Sequence, residues 1–236
     1  MSLNKVLSSI TFLLLFNFIG NAQSEKEYLS VYDSIIGKEN ILITNGFFHI
    51  NTYRVNDHKN IYFLNENYAK GSVNYLDQNY YNLDLKYDAY NDELIYRPNG
   101  NSEKNGVILI QSNVASFEYD GLKFVNLNLK KTTDDDFIKG YYEEKIKNST
   151  LAFYIKHYKS KREVFVDKNV LVEFSDQIEF IIYSNNKFHE ISSKKSIINL
   201  FPENKSYINE YFKNNGDLKK KDKSAFFTKL FQNISQ

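Results

Sequence analysis

The chain has 236 residues, of which 30 are basic and 29 are acidic, and it contains no cysteine. Its length suits one large domain or two small ones. Its near-neutral charge lacks the basic excess that is typical of nucleic-acid-binding proteins. The absence of cysteine excludes disulfides, thiolate metal sites and a cysteine nucleophile. Tyr and Phe occur 19 times each, and because both favour strands, the composition predicts a sheet protein.

Residues 1–22 have the three parts of a cleavable secretory signal. Lys5 gives a short positive start, Val6–Gly20 is mostly apolar, and Gly20-Asn21-Ala22 places small residues at the cleavage site. The apolar stretch is shorter than the roughly 20 residues that a membrane span needs, so we expect no transmembrane anchor after cleavage. There is also no cysteine to carry a lipid anchor. We therefore expect an exported protein, located in the periplasm rather than outside the cell.

Charge is unevenly distributed along the predicted mature chain. Lys5 is the one charged residue of 1–22, so residues 23–236 hold 29 basic and 29 acidic residues. Residues 185–236 carry ten Lys and five acidic residues, a net charge of +5, which leaves −5 on residues 23–184. This basic end is either the solvated face of a helical tail or a patch for an anionic partner or a membrane surface.

The first half of the mature chain predicts an antiparallel meander. Asn45-Gly46 between two apolar runs, Ile41–Ile43 and Phe47–Ile50, indicates a hairpin. Apolar and polar residues alternate over Tyr81–Tyr87, which predicts a strand with one buried face. Asp120-Gly121 suits a two-residue turn. The other strands predicted here are Ile61–Leu64, Gly71–Leu76, Glu93–Arg97, Val107–Gln111, Ser116–Tyr119 and Leu122–Val125.

The second half continues the meander and then changes period. Its predicted strands are Gly140–Ile146, Leu151–His157, Val164–Val166, Val170–Phe174, Ile178–Ser184 and Phe188–Ile191. Ser192 and Ser193 are suitable caps for a first helix, Asn214-Asn215-Gly216 ends a second, and Asp222 caps a third. The whole pattern predicts an α+β fold: a mostly antiparallel, sandwich-like β domain over residues 23–191, with a small helical cluster over residues 192–236 packed on it.

A series of turn and core motifs appears in a fixed order between residues 60 and 232. The series is Gly71-Ser72-Val73 with the return Tyr80–Leu85, then Tyr87-Asp88, Asp92-Glu93-Leu94, Val114–Phe117, Gly121–Val125, Gly140–Glu143 and Lys194–Ile198. In this order, and in the Asn-Ala-Gln ending of its signal, the chain resembles a group of uncharacterised secreted proteins common in Bacteroidota. The resemblance implies a β-rich exported protein and brings no activity, cofactor or catalytic residue with it.

The Tyr-rich strand supplies the candidate binding residues. Tyr80, Tyr81, Tyr87 and Tyr90 lie within eleven positions of one another, and Tyr offers an apolar ring face together with a polar tip. These residues could line a sugar- or peptide-binding surface. The alternative is that they pack within the sheet with partly exposed hydroxyl groups.

The four histidines, His49, His58, His157 and His189, do not form a spaced metal motif. The densest carboxylate run, Asp134-Asp135-Asp136, does not match a calcium-binding EF-hand loop, because the sixth position is Lys139 rather than glycine. We therefore expect no metal site and no cofactor, with a zinc site assembled across strands as the alternative, and we interpret the carboxylate run as a solvated turn.

No nucleophile elbow, phosphate-binding loop or other catalytic motif is present in the sequence. The leading hypothesis is therefore a non-enzymatic binding or scaffold protein of the cell envelope, with an envelope protein or a glycan as partner. The alternative is a hydrolase whose active site lies around His157, His189 and nearby acidic residues, since both histidines fall near predicted strand ends.

Overall fold

The computed structural model describes residues 42–98, 106–132 and 135–235. Within them, eleven strands form one antiparallel sheet in the order β1-β5-β4-β3-β2-β6-β7-β8-β9-β10-β11. The strands are β1 (Phe47–His49), β2 (Ala69–Tyr75), β3 (Gln78–Asp88), β4 (Glu93–Arg97), β5 (Gly106–Ile108), β6 (Val114–Tyr119), β7 (Leu122–Asn126), β8 (Tyr141–Lys147), β9 (Ala152–Val166), β10 (Asn169–Ser184) and β11 (Lys187–Glu190). The expected signal at residues 1–22 lies outside the described residues.

Two meanders spread from the middle of this sheet in opposite directions. Strands β2 to β5 run toward one edge, where β1 is added beside β5, and strands β6 to β11 run toward the other. The mixture of an antiparallel sheet and C-terminal helices that the sequence predicts is confirmed. The finer assignment, an α+β fold with sandwich-like packing, stays a prediction.

The sheet curls around an aromatic core. Tyr87 on β3 and Tyr141 on β8 have ring centroids 6.1 Å apart, although three strands lie between theirs in the sheet order. Neighbouring strands are spaced by about 4.8 Å, so a flat sheet would separate these two strands by about 19 Å. Tyr87 also contacts Phe117 at 5.7 Å and Phe124 at 5.4 Å. The face that carries these rings is therefore concave and closed on itself.

Strands β9 and β10 form a long hairpin with an unbroken register from Ala152↔Tyr183 to Val166↔Asn169. Its turn residues Asp167 and Lys168 both have positive φ, 48° and 67°, as a two-residue type I′ turn requires. The three short strands predicted over residues 164–184 are thus parts of two continuous ones. This prediction was wrong because burial does not alternate along the hairpin's outer half: residues 160–163 of β9 are exposed, whereas residues 172–174 of β10 are buried together.

The predicted hairpin at Asn45-Gly46 is not formed. Leu42–Thr44 is a short 3-10 turn, and β1 pairs instead with β5, Phe48 opposite Val107. A Cβ on Gly46 would lie 2.2 Å from the carbonyl oxygen of Ile108. The glycine therefore permits the close approach of a distant strand rather than a turn. The predicted strand Ile61–Leu64 is also replaced, by one isolated bridge between Tyr62 and Asp88.

Four helices follow the sheet in the described residues: α1 (Lys194–Leu200), α2 (Lys205–Asn214), α3 (Gly216–Lys221) and α4 (Lys223–Ile234). Ser193 and Asp222 cap α1 and α4 as predicted, since their side chains accept hydrogen bonds from the backbone N–H groups of Ser196 and Ala225. Gly216 follows the end of α2, as expected, and also begins α3.

The helices cover one face of the second meander. Phe153 on β9 and Phe180 on β10 pack against Phe227 and Phe231 of α4, with ring centroids 4.8 Å apart for Phe153 and Phe231 and 4.5 Å for Phe180 and Phe227. No helix in the described part of the chain is both long and apolar enough to cross a membrane.

Candidate functional site

A groove with a volume of about 1030 Å³ lies on the face of the sheet opposite the helices. Two turns border it, Asn148–Thr150 between β8 and β9, and Asn185-Asn186 between β10 and β11. Its remaining wall contains aromatic and lysine side chains. We call it the lysine groove and define it by these two turns together with Lys130, Lys147, Tyr154, Tyr183 and Phe188.

Strand alternation places the aromatic residues on this face. Tyr154 and Tyr183 belong to the core on the groove side, whereas their neighbours Phe153 and Ile182 face the helices. The turns are fixed locally. Asn148 Oδ1 accepts hydrogen bonds from the N–H groups of Thr150 and Leu151, both at 2.9 Å. The two turns come together because alternate hairpin turns of an antiparallel meander lie at the same end of the sheet.

The aromatic residues form the floor of the groove. The rings of Tyr183 and Phe188 have centroids 4.8 Å apart, and those of Tyr154 and Phe188 are 6.5 Å apart. Tyr154 and Phe188 are buried, while Tyr183 is half-buried. Burial, followed by the nearby Glu144 and Tyr183, raises the pKa of Tyr154 to about 12. Its phenol therefore stays protonated at neutral pH.

The lysines give the groove a positive rim. Neither Lys130 nor Lys147 belongs to an ion pair among the residues that the structure describes. Burial lowers the pKa of Lys130, and the positive charge of Lys147 lowers it further, against the opposing effect of Glu144. Two cations without carboxylate partners, one of them partly desolvated, favour an anionic ligand.

One carboxylate lies beneath this rim. Glu144 accepts a hydrogen bond from Lys123 through Oε1 at 2.8 Å. Its Oε2 atom is buried and has no hydrogen-bond partner among the described residues. Lys123 is thus ion-paired with Glu144, whereas Lys130 is influenced by this carboxylate without an ion pair among the described residues.

The structure does not bring the four predicted tyrosines into one surface, so the predicted ligand surface is corrected. Tyr80 and Tyr87 are buried in the aromatic core of the curled sheet. Tyr81 borders a small groove elsewhere on the sheet. Tyr90 packs edge-on against Phe174 at 4.9 Å. The predicted alternation holds from Leu83 to Tyr87, but a register shift in the β2–β3 pairing puts Tyr80 rather than Tyr81 on the buried face, and the curl of the sheet encloses that face.

The two histidines of the hydrolase hypothesis also lie apart. His157 is opposite Ile178 on β10, and His189 is opposite Ile182 on the other side of that strand. Four residues along the strand and two strand spacings separate the two histidines by roughly 17 Å. In the described residues they do not form a common site.

Each histidine has its own surroundings. His157 Nε2 is hydrogen bonded to Glu143 Oε2 at 2.8 Å, and its ring packs on Phe63 at 4.6 Å. Burial would raise the pKa of Glu143, but hydrogen bonds from His157 and Lys145 outweigh it and leave this pKa lowered. His189 borders a separate shallow groove beside α1. Neither histidine lines the lysine groove.

The carboxylate run at residues 134–136 is described in part, since Asp134 lies outside the described residues. Asp135 accepts hydrogen bonds from the backbone N–H and the hydroxyl group of Thr132, at 3.0 and 2.8 Å. This is the local turn geometry that short polar side chains stabilise.

Comparison with known proteins gives no relative from which a role could be transferred. No family model matches the chain, and neither a curated protein nor a solved structure is significantly similar to it.

Sequence reasoning missed the lysine groove, because its residues come from three separate segments of the chain. One signal for it was present. Both bordering turns, Lys147–Thr150 and Asn185-Asn186, fall in the gaps between strands predicted from the sequence, and in a meander these two turns lie at the same end of the sheet. The polar residues of the two turns could therefore have been grouped, although the contribution of Lys130 could not.

Proposed function

We propose that this protein is an exported, non-enzymatic binding protein of the cell envelope that holds an acidic glycan in the lysine groove. The observation that carries the proposal is the pairing of two lysines without carboxylate partners, Lys130 and Lys147, with an aromatic floor. The signal-like residues 1–22 support export, and we place the protein in the periplasm.

The chemistry of the groove fits a sugar better than an extended peptide. A ring such as Tyr183 offers a flat apolar surface and a polar tip, to which the face of a sugar ring can pack. The side chains of the bordering turns, Asn148–Thr150 and Asn185-Asn186, supply amide and hydroxyl groups for sugar hydroxyls. The lysines supply the charge for a carboxylate or sulfate. The volume of about 1030 Å³ lies at the upper end of the range typical of small-molecule sites.

The test compares an acidic and a neutral ligand of the same size. The chain from Gln23 onward is titrated by calorimetry with a galacturonic acid trisaccharide and with the corresponding galactose trisaccharide. We expect saturable binding of the acidic sugar and at least about tenfold weaker binding of the neutral one, because a difference of about 1.4 kcal/mol in binding free energy corresponds to tenfold in affinity.

A matched pair of variants localises the binding. Lys130→Ala/Lys147→Ala removes both rim charges, while Lys213→Ala/Lys229→Ala removes two charges from the helices. The proposal requires that only the first pair weakens binding of the acidic sugar. Equal affinity for the two sugars, or equal effects of the two double variants, would refute it.

A further inference from the structure

A second cluster of chemically active side chains lies in the first meander, around the β3–β4 turn. His49 of β1, Asp88 at the end of β3 and Glu93 at the start of β4 each place one potential ligand atom within 4.8 Å of the other two. We call these residues the His49 cluster. Asp88 and Glu93 are directly opposite each other in the β3–β4 ladder, so their side chains lie on the same face of the sheet.

The surrounding structure fixes two members of the cluster. The carboxylate of Asp88 is fully buried. It accepts hydrogen bonds from the N–H groups of Tyr90 and Asn91 through Oδ1, both at 2.9 Å, and from Asn91 Nδ2 through Oδ2 at 2.8 Å. Since each carboxylate oxygen has two lone pairs, Oδ2 keeps one for a ligand. The ring of His49 is oriented by a hydrogen bond between Nε2 and the Tyr62 hydroxyl at 2.8 Å.

In metalloproteins, hydrogen bonds to the groups that bind the metal keep those groups in place. A metal-binding imidazole usually bonds through its second nitrogen to a neighbouring group, and metal-binding carboxylates are themselves hydrogen bonded. Here the Tyr62 hydroxyl group is the outer partner of His49, and the N–H groups of Tyr90 and Asn91 are the outer partners of Asp88.

The β3–β4 turn concentrates negative charge. Asp88, Asp92 and Glu93 bring three carboxylates to one turn, and Lys156 is paired with Asp92. No ion pair in the described parts of the chain involves Asp88 or Glu93. Lys86, on the same strand, is held instead over the rings of Tyr62 and Tyr68, at 4.5 and 4.2 Å. Buried carboxylates are generally paired or coordinate metals.

We propose that His49, Asp88 and Glu93 bind one divalent transition-metal ion, for which Zn²⁺ is the best fit. One imidazole and two carboxylates form a mixed nitrogen and oxygen donor set, which suits Zn²⁺ and leaves a fourth position for water. Ca²⁺ and Mg²⁺ prefer oxygen donors throughout. Ligands at about 2.1 Å from Zn²⁺ lie roughly 3.4 Å from one another, so ligand atoms that are up to 4.8 Å apart have to approach each other by about 1.4 Å at most. This site is independent of the proposed glycan groove.

The binding test uses untagged protein, because a polyhistidine tag would itself bind the metal. After treatment with a chelator, the chain from Gln23 onward is titrated with ZnCl₂, and separately with MgCl₂ and CaCl₂. We expect one equivalent of Zn²⁺ to bind saturably and to raise the melting temperature, because a ligand that binds only the folded state stabilises it. Saturable binding of one Zn²⁺ to the wild-type chain is required, and its absence would overturn the proposal.

Variants decide whether the ion occupies the His49 cluster. Glu93→Gln keeps the size of the side chain and removes its charge at a half-buried position, and His49→Gln removes the imidazole. We expect each to weaken Zn²⁺ binding by at least about tenfold and to abolish the metal-induced shift in melting temperature. His189→Asn changes a histidine at the other edge of the sheet and should bind Zn²⁺ like wild type. Circular dichroism without metal shows that the variants fold, and unchanged affinity of both cluster variants would overturn the assignment.

Discussion

The ammonium group of Lys156 lies 2.7 Å from Asp92 Oδ2, although the two residues stand 64 positions apart in the chain. Lys156 also donates hydrogen bonds to the carbonyl groups of Lys139 and Tyr141, at 3.0 and 3.1 Å. The Tyr87 hydroxyl donates to Asp92 Oδ1 at 2.6 Å. The three N–H donors of the Lys156 ammonium group are therefore all used, by the Asp92 carboxylate and the two carbonyl groups. The pair ties the β3–β4 turn to β8 and β9, and so closes the curl of the sheet.

The first prediction concerns the removal of this lysine. Lys156→Met leaves a largely buried carboxylate without its cation, and we expect the free energy of unfolding to fall by about 3 kcal/mol. Asp92→Asn combined with Lys156→Met should recover part of this loss, because the uncompensated charge is then gone. Lys70→Met is the control, since Lys70 forms an exposed pair with Asp84 and should change stability by less than about 1 kcal/mol. Urea unfolding followed by circular dichroism measures all four proteins, and equal losses for the two single lysine variants would contradict the prediction.

The second prediction compares two glycines with the same backbone conformation. Gly140 and Gly121 have φ values of +71° and +75°. A Cβ on Gly140 would lie 1.5 Å from Asp92 Oδ2, whereas nothing lies within 4 Å of one on Gly121. We expect Gly121→Ala to cost about 1 kcal/mol for the left-handed backbone alone. Gly140→Ala should cost at least about 2 kcal/mol more, because it also displaces the partner of Lys156. Equal melting temperatures for the two variants would show that Asp92 adjusts freely.

Local signals in the sequence predicted many elements of the fold. The alternation over Tyr81–Tyr87 found the centre of β3, and Ser193 and Asp222 marked the starts of α1 and α4. These signals succeed because a strand face or a helix cap depends on residues close in sequence. The pairing of β1 with β5 could not be predicted in this way, since it joins segments about sixty positions apart and depends on the close approach at Gly46.

The candidate sites were harder to predict for the same physical reason. His49 and Asp88 are brought together by strand pairing, and neither has a metal-ligand partner at a regular spacing in the sequence. Lys130 reaches its groove from an irregular segment between β7 and β8. The tyrosine prediction failed in the opposite way, because Tyr87 was correctly placed on a strand but the sheet closes over that face.

The third prediction is a pH dependence at Glu173 on β10. Its carboxylate accepts hydrogen bonds from Arg162 at 2.6 Å and from Asn56 at 2.7 Å, and Lys59 lies 3.3 Å away. The bonds from Arg162 and Asn56 lead the effects that lower the pKa of Glu173 from 4.5 to about 2. A lowered folded-state pKa stabilises the protein above the unfolded pKa, and this stabilisation is lost as the pH falls toward the folded value.

We therefore expect Glu173→Gln to be less stable than wild type at pH 7, and the difference to shrink steadily between pH 4.5 and pH 2. Urea unfolding at several pH values measures it. Asp176→Asn, which changes an exposed carboxylate on the same strand, should show a smaller difference at pH 7. A gap between wild type and Glu173→Gln that stays constant down to pH 2 would rule out the linkage.

The fourth prediction separates the two parts of the lysine groove. The lysines act through charge, so Lys130→Gln/Lys147→Gln should weaken binding of the galacturonic acid trisaccharide and leave the weak binding of the neutral sugar unchanged. The ring of Tyr183 acts through its face, so Tyr183→Ser should weaken the binding of both sugars.

Added salt should reduce the affinity of wild type for the acidic sugar and have less effect on the lysine variant, because exposed charges are screened over a Debye length of about 8 Å at physiological ionic strength. Calorimetric titrations at 50 mM and 300 mM NaCl check each expectation (~14 Å and ~6 Å screening lengths). If the lysine variant lost as much affinity for the neutral sugar as for the acidic one, the lysines would contribute to binding through the shape of the groove rather than through their charge.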